Sequence, residues 1–372
     1  MLLKLRNCIL IITVIGVLLT IPACARSAES SRAKDDEPPE MSMVENSSTE
    51  QLSGDYAGIY LAEPLHFSEE NVAQFLTYCG DQIKDSEMTE SKTALMQTGN
   101  CISGNTFLCR EGTGYHPHTL FQYFDQNKWN KYCVYPIYSG EESYATNKQY
   151  TVGWMFEDAK DLSFSAAEES EKYVREALSC LGCTDLTLLR TLYIDHKTMN
   201  TAIELLTTDP NYAPVGEEKE NNGYPSDKWT AEDEVYVFSF GIAVGNTYLS
   251  PRFEVQETTT YIGSQIIVWY SKDGIDFLSV DMPWTVTGIS TEPQKIISEK
   301  TAQDVVGEKM SSILTFQNIE VETPVLEYQY RQEGDEWHLL PVWSTMVTYQ
   351  PAGSSTRQYE FVCVDAISGQ EI

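Results

Sequence analysis

Apolar positions recur along this chain with two different periods. Three segments open on a serine and then repeat apolar residues at helical spacing: EENVAQFLTYCG after Ser68, AAEESEKYVREALSCLG after Ser165, and EKTAQDVVGEKMSSIL after Ser298. A serine oxygen can accept from the orphan N–H groups of a first helical turn, so each serine marks a predicted helix start. Ser165-Ala166-Ala167-Glu168 also has the spacing of a reciprocal capping box. In that second segment Val174, Ala177, Leu178 and Leu181 fall at i, i+3, i+4 and i+7, which places them on one face, and Gly182 is positioned to end the helix. Seven further segments are enriched in β-branched and aromatic residues and read as strands: LTLLRTLYI, EVYVFSFGIAV, SQIIVWYS, DFLSVDM, PVLEYQY, WHLLPVWSTMVTY and QYEFVCV. Turn signals such as Lys272-Asp273-Gly274 and Gly334-Asp335 separate several of them. The expected class is α+β, with Ser-capped helices packed on antiparallel sheets in repeated helix-plus-sheet modules over 54–160, 161–290 and 291–372. Residues 81–160 alternate between polar and aromatic stretches and follow neither period cleanly.

The first 53 residues follow a different logic. Lys4 and Arg6 precede a 14-residue apolar run from Cys8 to Ile21, which is short for a membrane-spanning helix and suits a cleavable export signal over residues 1–23. The run ends in Ile21-Pro22-Ala23-Cys24, which resembles the lipobox of bacterial lipoproteins. That resemblance implies that the Cys24 thiol takes a diacylglyceryl group, with palmitate-type chains, and that cleavage makes Cys24 the new N-terminus. The protein would then be held by lipid on the extracytoplasmic face of the cell membrane. An ordinary secretory signal that happens to contain a cysteine is the alternative, and it also exports the body. Residues 24–53 are rich in Ser, Glu and Pro and poor in large apolar residues, which predicts a disordered tether. About 29 such residues reach roughly 30 Å as a coil.

Charge narrows the choice of partner. Loss of Lys4 and Arg6, with no acidic residue in 1–23, takes the formal charge from −30 to −32. A chain of that sign lacks the electrostatic term that nucleic-acid binding needs, so no nucleic-acid partner is expected. Acidic clusters can bind calcium, but no D-x-[DN]-x-[DN]-G loop is present.

The last module carries a second resemblance. A Ser298-capped helix, three strands and a closing Asp365-Ala366-Ile367-Ser368-Gly369 turn resemble PepSY-type domains over about 296–372, and Leu340-Pro341-Val342-Trp343 resembles the extracytoplasmic YycH/YycI-type regulators. LSFSAAEESEKYVREALSCLG, YIDHKTM, SKDGIDFL and LLPVW together resemble an uncharacterised lipoprotein family of Gram-positive, clostridial-type gut anaerobes, over roughly 160–372. These likenesses imply a PepSY-like helix-plus-sheet fold and bring no activity with them.

Candidate chemistry is sparse. Besides Cys8 and Cys24 the chain holds Cys79, Cys101, Cys109, Cys133, Cys180, Cys183 and Cys363, an odd number, and Cys101 with Cys109 is the expected disulfide. Cys180-Leu181-Gly182-Cys183 has thiol-redox spacing but falls at a predicted helix C-terminus, where the dipole disfavours thiolate, so a structural pair or two unpaired thiols is expected. His116-Pro117-His118 puts two imidazoles on one side of an extended segment, yet no third ligand lies nearby in sequence, and both read as surface histidines. His196 reads as a turn residue, and His66 and His338 stand alone. Trp337 and Trp343 read as core, with ligand stacking as the alternative. No G-x-S-x-G, H-E-x-x-H or phosphate-cradling glycine loop occurs, and the single Ser-x-x-Lys, Ser31 to Lys34, falls in the tether. No catalytic residue, cofactor or metal is therefore expected. The functional expectation is a non-enzymatic module at the cell surface that binds a protein or cell-envelope ligand. The alternative is an extracytoplasmic hydrolase of glycan or peptide, which calls for a cleft with converging carboxylates or histidines.

Overall fold

The computed structural model describes residues 55–91, 94–112, 118–128, 142–143, 148–149, 153–208, 228–251, 253–255, 260–313, 315–354 and 357–372. The export signal, the tether, Cys24, His116 and Cys133 lie outside them. In chain order the strands begin with β1 (Tyr56–Pro64), β2 (Ile83–Glu90), β3 (Ala94–Cys101), β4 (Thr106–Gly112), β5 (Thr119–Phe124), β6 (Glu142–Ser143) and β7 (Lys148–Gln149). They continue with β8 (Leu186–Ile194), β9 (Val235–Val244), β10 (Thr247–Tyr248), β11 (Phe253–Val255), β12 (Thr260–Ile262), β13 (Gln265–Ser271) and β14 (Gly274–Asp281). The last are β15 (Trp284–Lys295), β16 (Phe316–Val321), β17 (Val325–Glu333), β18 (Glu336–Pro351) and β19 (Gln358–Asp365). The helices of ten residues or more among the described residues are α1 (Glu69–Tyr78), α2 (Ala167–Cys180), α3 (His196–Thr208) and α4 (Glu299–Ser312).

This architecture corrects the expected class. The chain is mostly β, with 52% of the described residues in strands against 23% in helices, and it is not a PepSY-like helix-plus-sheet repeat. Strands from distant parts of the chain combine into two large antiparallel sheets. The nine-stranded sheet runs β10-β9-β13-β14-β5-β4-β3-β2, with β8 on the other side of β9. The six-stranded sheet runs β15-β1-β18-β16, with β17 and β19 also paired to the long β18. Thus β1 pairs with β15 and with β18, more than two hundred residues downstream. The helices that sequence periodicity picks out are real, and each lies on a sheet assembled from strands both near it and far from it in sequence.

Both faces of the larger sheet are buried around β9, which explains why that strand is apolar at nearly every position. Tyr236, Phe238, Phe240, Ile242 and Val244 point into one core, together with Val72, Phe75 and Leu76 of α1 and Val174, Ala177 and Leu178 of α2. The alternate residues Val235 and Val237 point into a second core with Met199 and Ala202 of α3. Full burial of a side chain such as Phe75 or Leu178 contributes about 1.5–3 kcal/mol. On the smaller sheet α4 lays Val306 and Met310 against Val347, Val362 and Val364.

Helix starts follow the sequence at two of the three serines. The Asn71 N–H donates to Ser68 Oγ at 3.1 Å, and the Thr301 N–H donates to Ser298 Oγ at 3.1 Å. At α2 the predicted capping box does not form: Ala166 is the N-cap residue, and the Ala167 N–H donates to Asp161 Oδ1 at 2.9 Å. Ser165 is held elsewhere, its carbonyl accepting from the Tyr236 hydroxyl at 2.7 Å. His196 is also corrected: it is the first residue of α3, whose first turn donates from the Lys197 and Thr198 N–H groups to Asp195 Oδ1 at 3.0 Å.

The two sheets meet at β10 and β17. The Ser250 N–H donates to the Tyr328 carbonyl at 2.8 Å, and the Thr247 hydroxyl donates to the Leu326 carbonyl at 2.8 Å. Trp284 stacks on Tyr330 with centroids 4.9 Å apart and meets Trp337 edge-on at 5.2 Å, so Trp337 serves the core at this junction. Trp343 packs under α4, its indole N–H donating to the Ile297 carbonyl at 3.0 Å.

Candidate functional site

Three sequence-distant segments leave a cleft of about 310 Å³ beside this junction. The end of α2 supplies Gly182, Cys183, Thr184 and Asp185; β9 and its turn supply Ile242, Ala243 and Gly245; the start of β15 supplies Trp284, Thr285 and Val286, with Leu65 closing one side. Each wall has a local cause. Gly182, at φ +87°, lets α2 stop and turn back, and the Cys183 N–H returns to the Leu178 carbonyl at 3.1 Å. Gly245, at φ +57°, begins the two-residue turn into β10 and passes close to Tyr60. Asp185 ends that loop, its carbonyl accepting from the Ala243 N–H at 2.8 Å.

The lining is apolar or backbone apart from Thr184, Thr285, Cys183 and Asp185. Cys183 is 2% exposed, and burial pushes its thiol up to about 12. Burial likewise raises Cys180. The Cys180–Cys183 motif therefore holds two free thiols poorly disposed to become thiolates.

The expected Cys101–Cys109 disulfide is not formed, and both thiols are free and buried. Cys109 stands opposite Gln97 on β3, four residues from Cys101 on the same face. That is about 13 Å along a strand, well beyond disulfide reach.

A second polar cluster lies at the starts of α2 and α3. Glu234, 4% exposed, accepts from Ser163 Oγ at 2.7 Å and from the Ser163 N–H at 3.0 Å, and its other oxygen is 2.5 Å from His196 Nδ1. Burial alone would raise the Glu234 carboxyl, but the bonds from Ser163 and His196 outweigh it and the group is held below its ordinary value. Next to it Asp195 pairs with Lys160; against the effect of burial, that pairing and the Thr198 bonds lower it to about 2. Serine, histidine and carboxylate are all present, yet the carboxylate sits in the middle and both partners bond to it. A serine nucleophile needs the histidine between the two, so this arrangement fastens three loops and does not activate Ser163.

No protein-family model and no curated protein matches this chain. A solved structure does. It is the crystal structure, at 1.45 Å, of an uncharacterised protein from Eubacterium rectale ATCC 33656, with a TM-score of 0.58, 16% identity and coverage of 87% of each chain. At that identity the likeness is one of fold alone.

The remaining predicted positions scatter. His118 Nε2 is 3.2 Å from Asp281 Oδ1, exposed His66 has its Nδ1 3.5 Å from half-buried Glu111, and His338 lies by Glu336 at 3.9 Å. Among the described residues no three His, Cys, Asp or Glu side chains gather as metal ligands, and no helix is long and apolar enough to cross a membrane. Sequence reading missed Thr184, Asp185 and Trp284–Val286 as site residues, since only long-range pairing brings them together. The Gly182 helix stop and the Gly245-Asn246 turn are the local signals that border the cleft.

Proposed function

We propose that this protein is a lipid-anchored extracytoplasmic binding module that takes a ligand from the cell envelope or a partner protein in the cleft at the end of α2. The observation that carries it is the lining: apolar walls from Leu65, Ile242, Trp284 and Val286, with Asp185 as the single carboxylate. Concave sites that set apolar walls beside placed polar groups suit binding. Acid–base hydrolysis needs two proton-handling groups in reach of one bond, and Cys183, buried and raised to about 12, does not supply the second. The Lys4/Arg6 signal and the lipobox-like Ile21–Cys24 support export and anchoring at Cys24, with the tether carrying the body clear of the bilayer.

A photoreactive benzoylphenylalanine in place of Thr285 tests this on intact cells. A discrete adduct is expected from that position and not from Glu87 on the exposed β2; equal labelling from both positions would count against the cleft. Cys24→Ala should move the protein from the membrane pellet to the medium, and retention of this variant in washed membranes would refute the lipid anchor.

A further inference from the structure

The cleft has a sign as well as a shape. Of its lining side chains Asp185 is acidic and none is basic. Asp185 is exposed at the rim, and the only bond to its carboxylate among those described comes from the Thr184 hydroxyl beside it at 3.3 Å. Arg175, whose guanidinium reaches the Leu186 carbonyl at 3.0 Å, is already paired with Glu171 at 2.7 Å. The carboxylate is thus left for a ligand. The C-terminal end of α2 also faces the cleft through Gly182 and Cys183, and that end of a helix dipole favours positive charge. Trp284, buried and stacked on Tyr330, adds apolar wall rather than a free ring face. The formal charge of −30 adds long-range attraction of the same sign.

We propose that the cleft binds an organic ammonium group carried on an apolar body, the ammonium on Asp185 and the body against Leu65, Ile242, Trp284 and Val286. This rests on the binding role proposed above and names the chemistry of its ligand. A free alkylamine and the lysyl side chain of a polypeptide share that chemistry.

Three probes of equal length and different charge separate the contributions: hexylamine, hexanol and hexanoate, titrated calorimetrically into the mature chain. Hexylamine should bind at least ten-fold more tightly than hexanoate. Asp185→Asn, at an exposed position, should weaken hexylamine about ten-fold and leave hexanol unchanged. Thr184→Lys, which places a cation at the rim, should abolish hexylamine binding. A capped Gly-Lys-Gly peptide forms the second arm, and the tighter of peptide and hexylamine identifies the source of the ammonium. Equal affinity for hexylamine and hexanoate, insensitivity to Asp185→Asn, or binding of neither ammonium probe would overturn the proposal. If the Thr285 adduct persists in that event, the cleft is still a binding site and only the ammonium preference falls; if the adduct is also absent, both readings fall.

Discussion

The phenol oxygen of Tyr60 lies 2.9 Å from the place a β-carbon on Gly245 would occupy. Tyr60 belongs to the smaller sheet and Gly245 to the turn that leaves the larger one, so this contact fixes how closely the sheets approach at the cleft. Two costs then fall on Gly245→Ala: a contact that must open, with the Tyr328 hydroxyl also 3.5 Å away, and a β-carbon at φ +57°. We expect a loss of about 1–3 kcal/mol, read as a lower midpoint in urea unfolding. Tyr60→Phe, which removes the crowding oxygen, should recover part of it, leaving the backbone cost. An unchanged midpoint for Gly245→Ala would mean that the two sheets are free to part here.

Acid should loosen the starts of α2 and α3 before the cores respond. Asp195 is lowered to about 2 and Glu234 is held below its ordinary value in the folded state. A depressed carboxyl contributes stability that is fully present above its unfolded pKa and is lost as pH falls toward the folded one. For Asp195 that window runs from about pH 4 down to about 2. Asp195→Asn should flatten the stability profile across this window, and Lys160→Met should do the same by removing the partner. Parallel profiles for wild type and Asp195→Asn between pH 5 and 2 would contradict the assignment.

Thiol reactivity should rank by burial. Cys79, Cys101, Cys109 and Cys183 are raised to about 12, chiefly by burial, so they should resist iodoacetamide at pH 7.5 in the native protein and react once guanidinium exposes them. Cys180 is less enclosed and should label before these four. Mass spectrometry of peptides from non-reduced protein checks the pairing at the same time. A peptide linking Cys101 to Cys109 would require a β3–β4 register different from the one described.

Most of what was legible in the sequence was local. All seven segments enriched in β-branched and aromatic residues are strands, because side chains that fit a pleated, covered surface announce themselves one strand at a time. Other strands escaped. β2 is exposed at every position and β15 at most, so neither has an apolar face to show. The strands β1, β3, β4 and β5 escaped as well; β5 did so although it is buried almost throughout, because its short TLFQYF run stands among polar stretches. Strand partnership was hidden too: nothing in YAGIYLAEP says that it pairs with residues 284–295, and that pairing turns an expected repeat of modules into two shared sheets. The cleft depends on the same pairings. His196 was misread for a smaller reason: Asp195 is a good N-cap residue, and the strand before it drew attention to a turn instead.

The start of α2 offers the cleanest contest between a sequence rule and the folded chain. Ser165 and Glu168 have capping-box spacing, but the tertiary structure uses the Ser165 carbonyl for the Tyr236 hydroxyl, and Leu162 in turn donates its N–H to that hydroxyl at 2.7 Å. The Ser165 hydroxyl is turned away from the helix N–H groups and donates to the Ala166 carbonyl at 3.2 Å, so Asp161 takes the cap at the Ala167 N–H and also sets a negative charge by the positive end of the helix dipole. Asp161→Ala should therefore cost about 1 kcal/mol, the usual effect of losing a cap, whereas Ser165→Ala should cost little, because the bond to Tyr236 uses only the backbone of residue 165. Tyr236→Phe removes both bonds of its hydroxyl inside the core and should cost more than Ser165→Ala. Urea unfolding of the three variants settles the order. If Ser165→Ala proves the costlier of the two cap variants, the capping box forms in solution and Asp161 is a bystander.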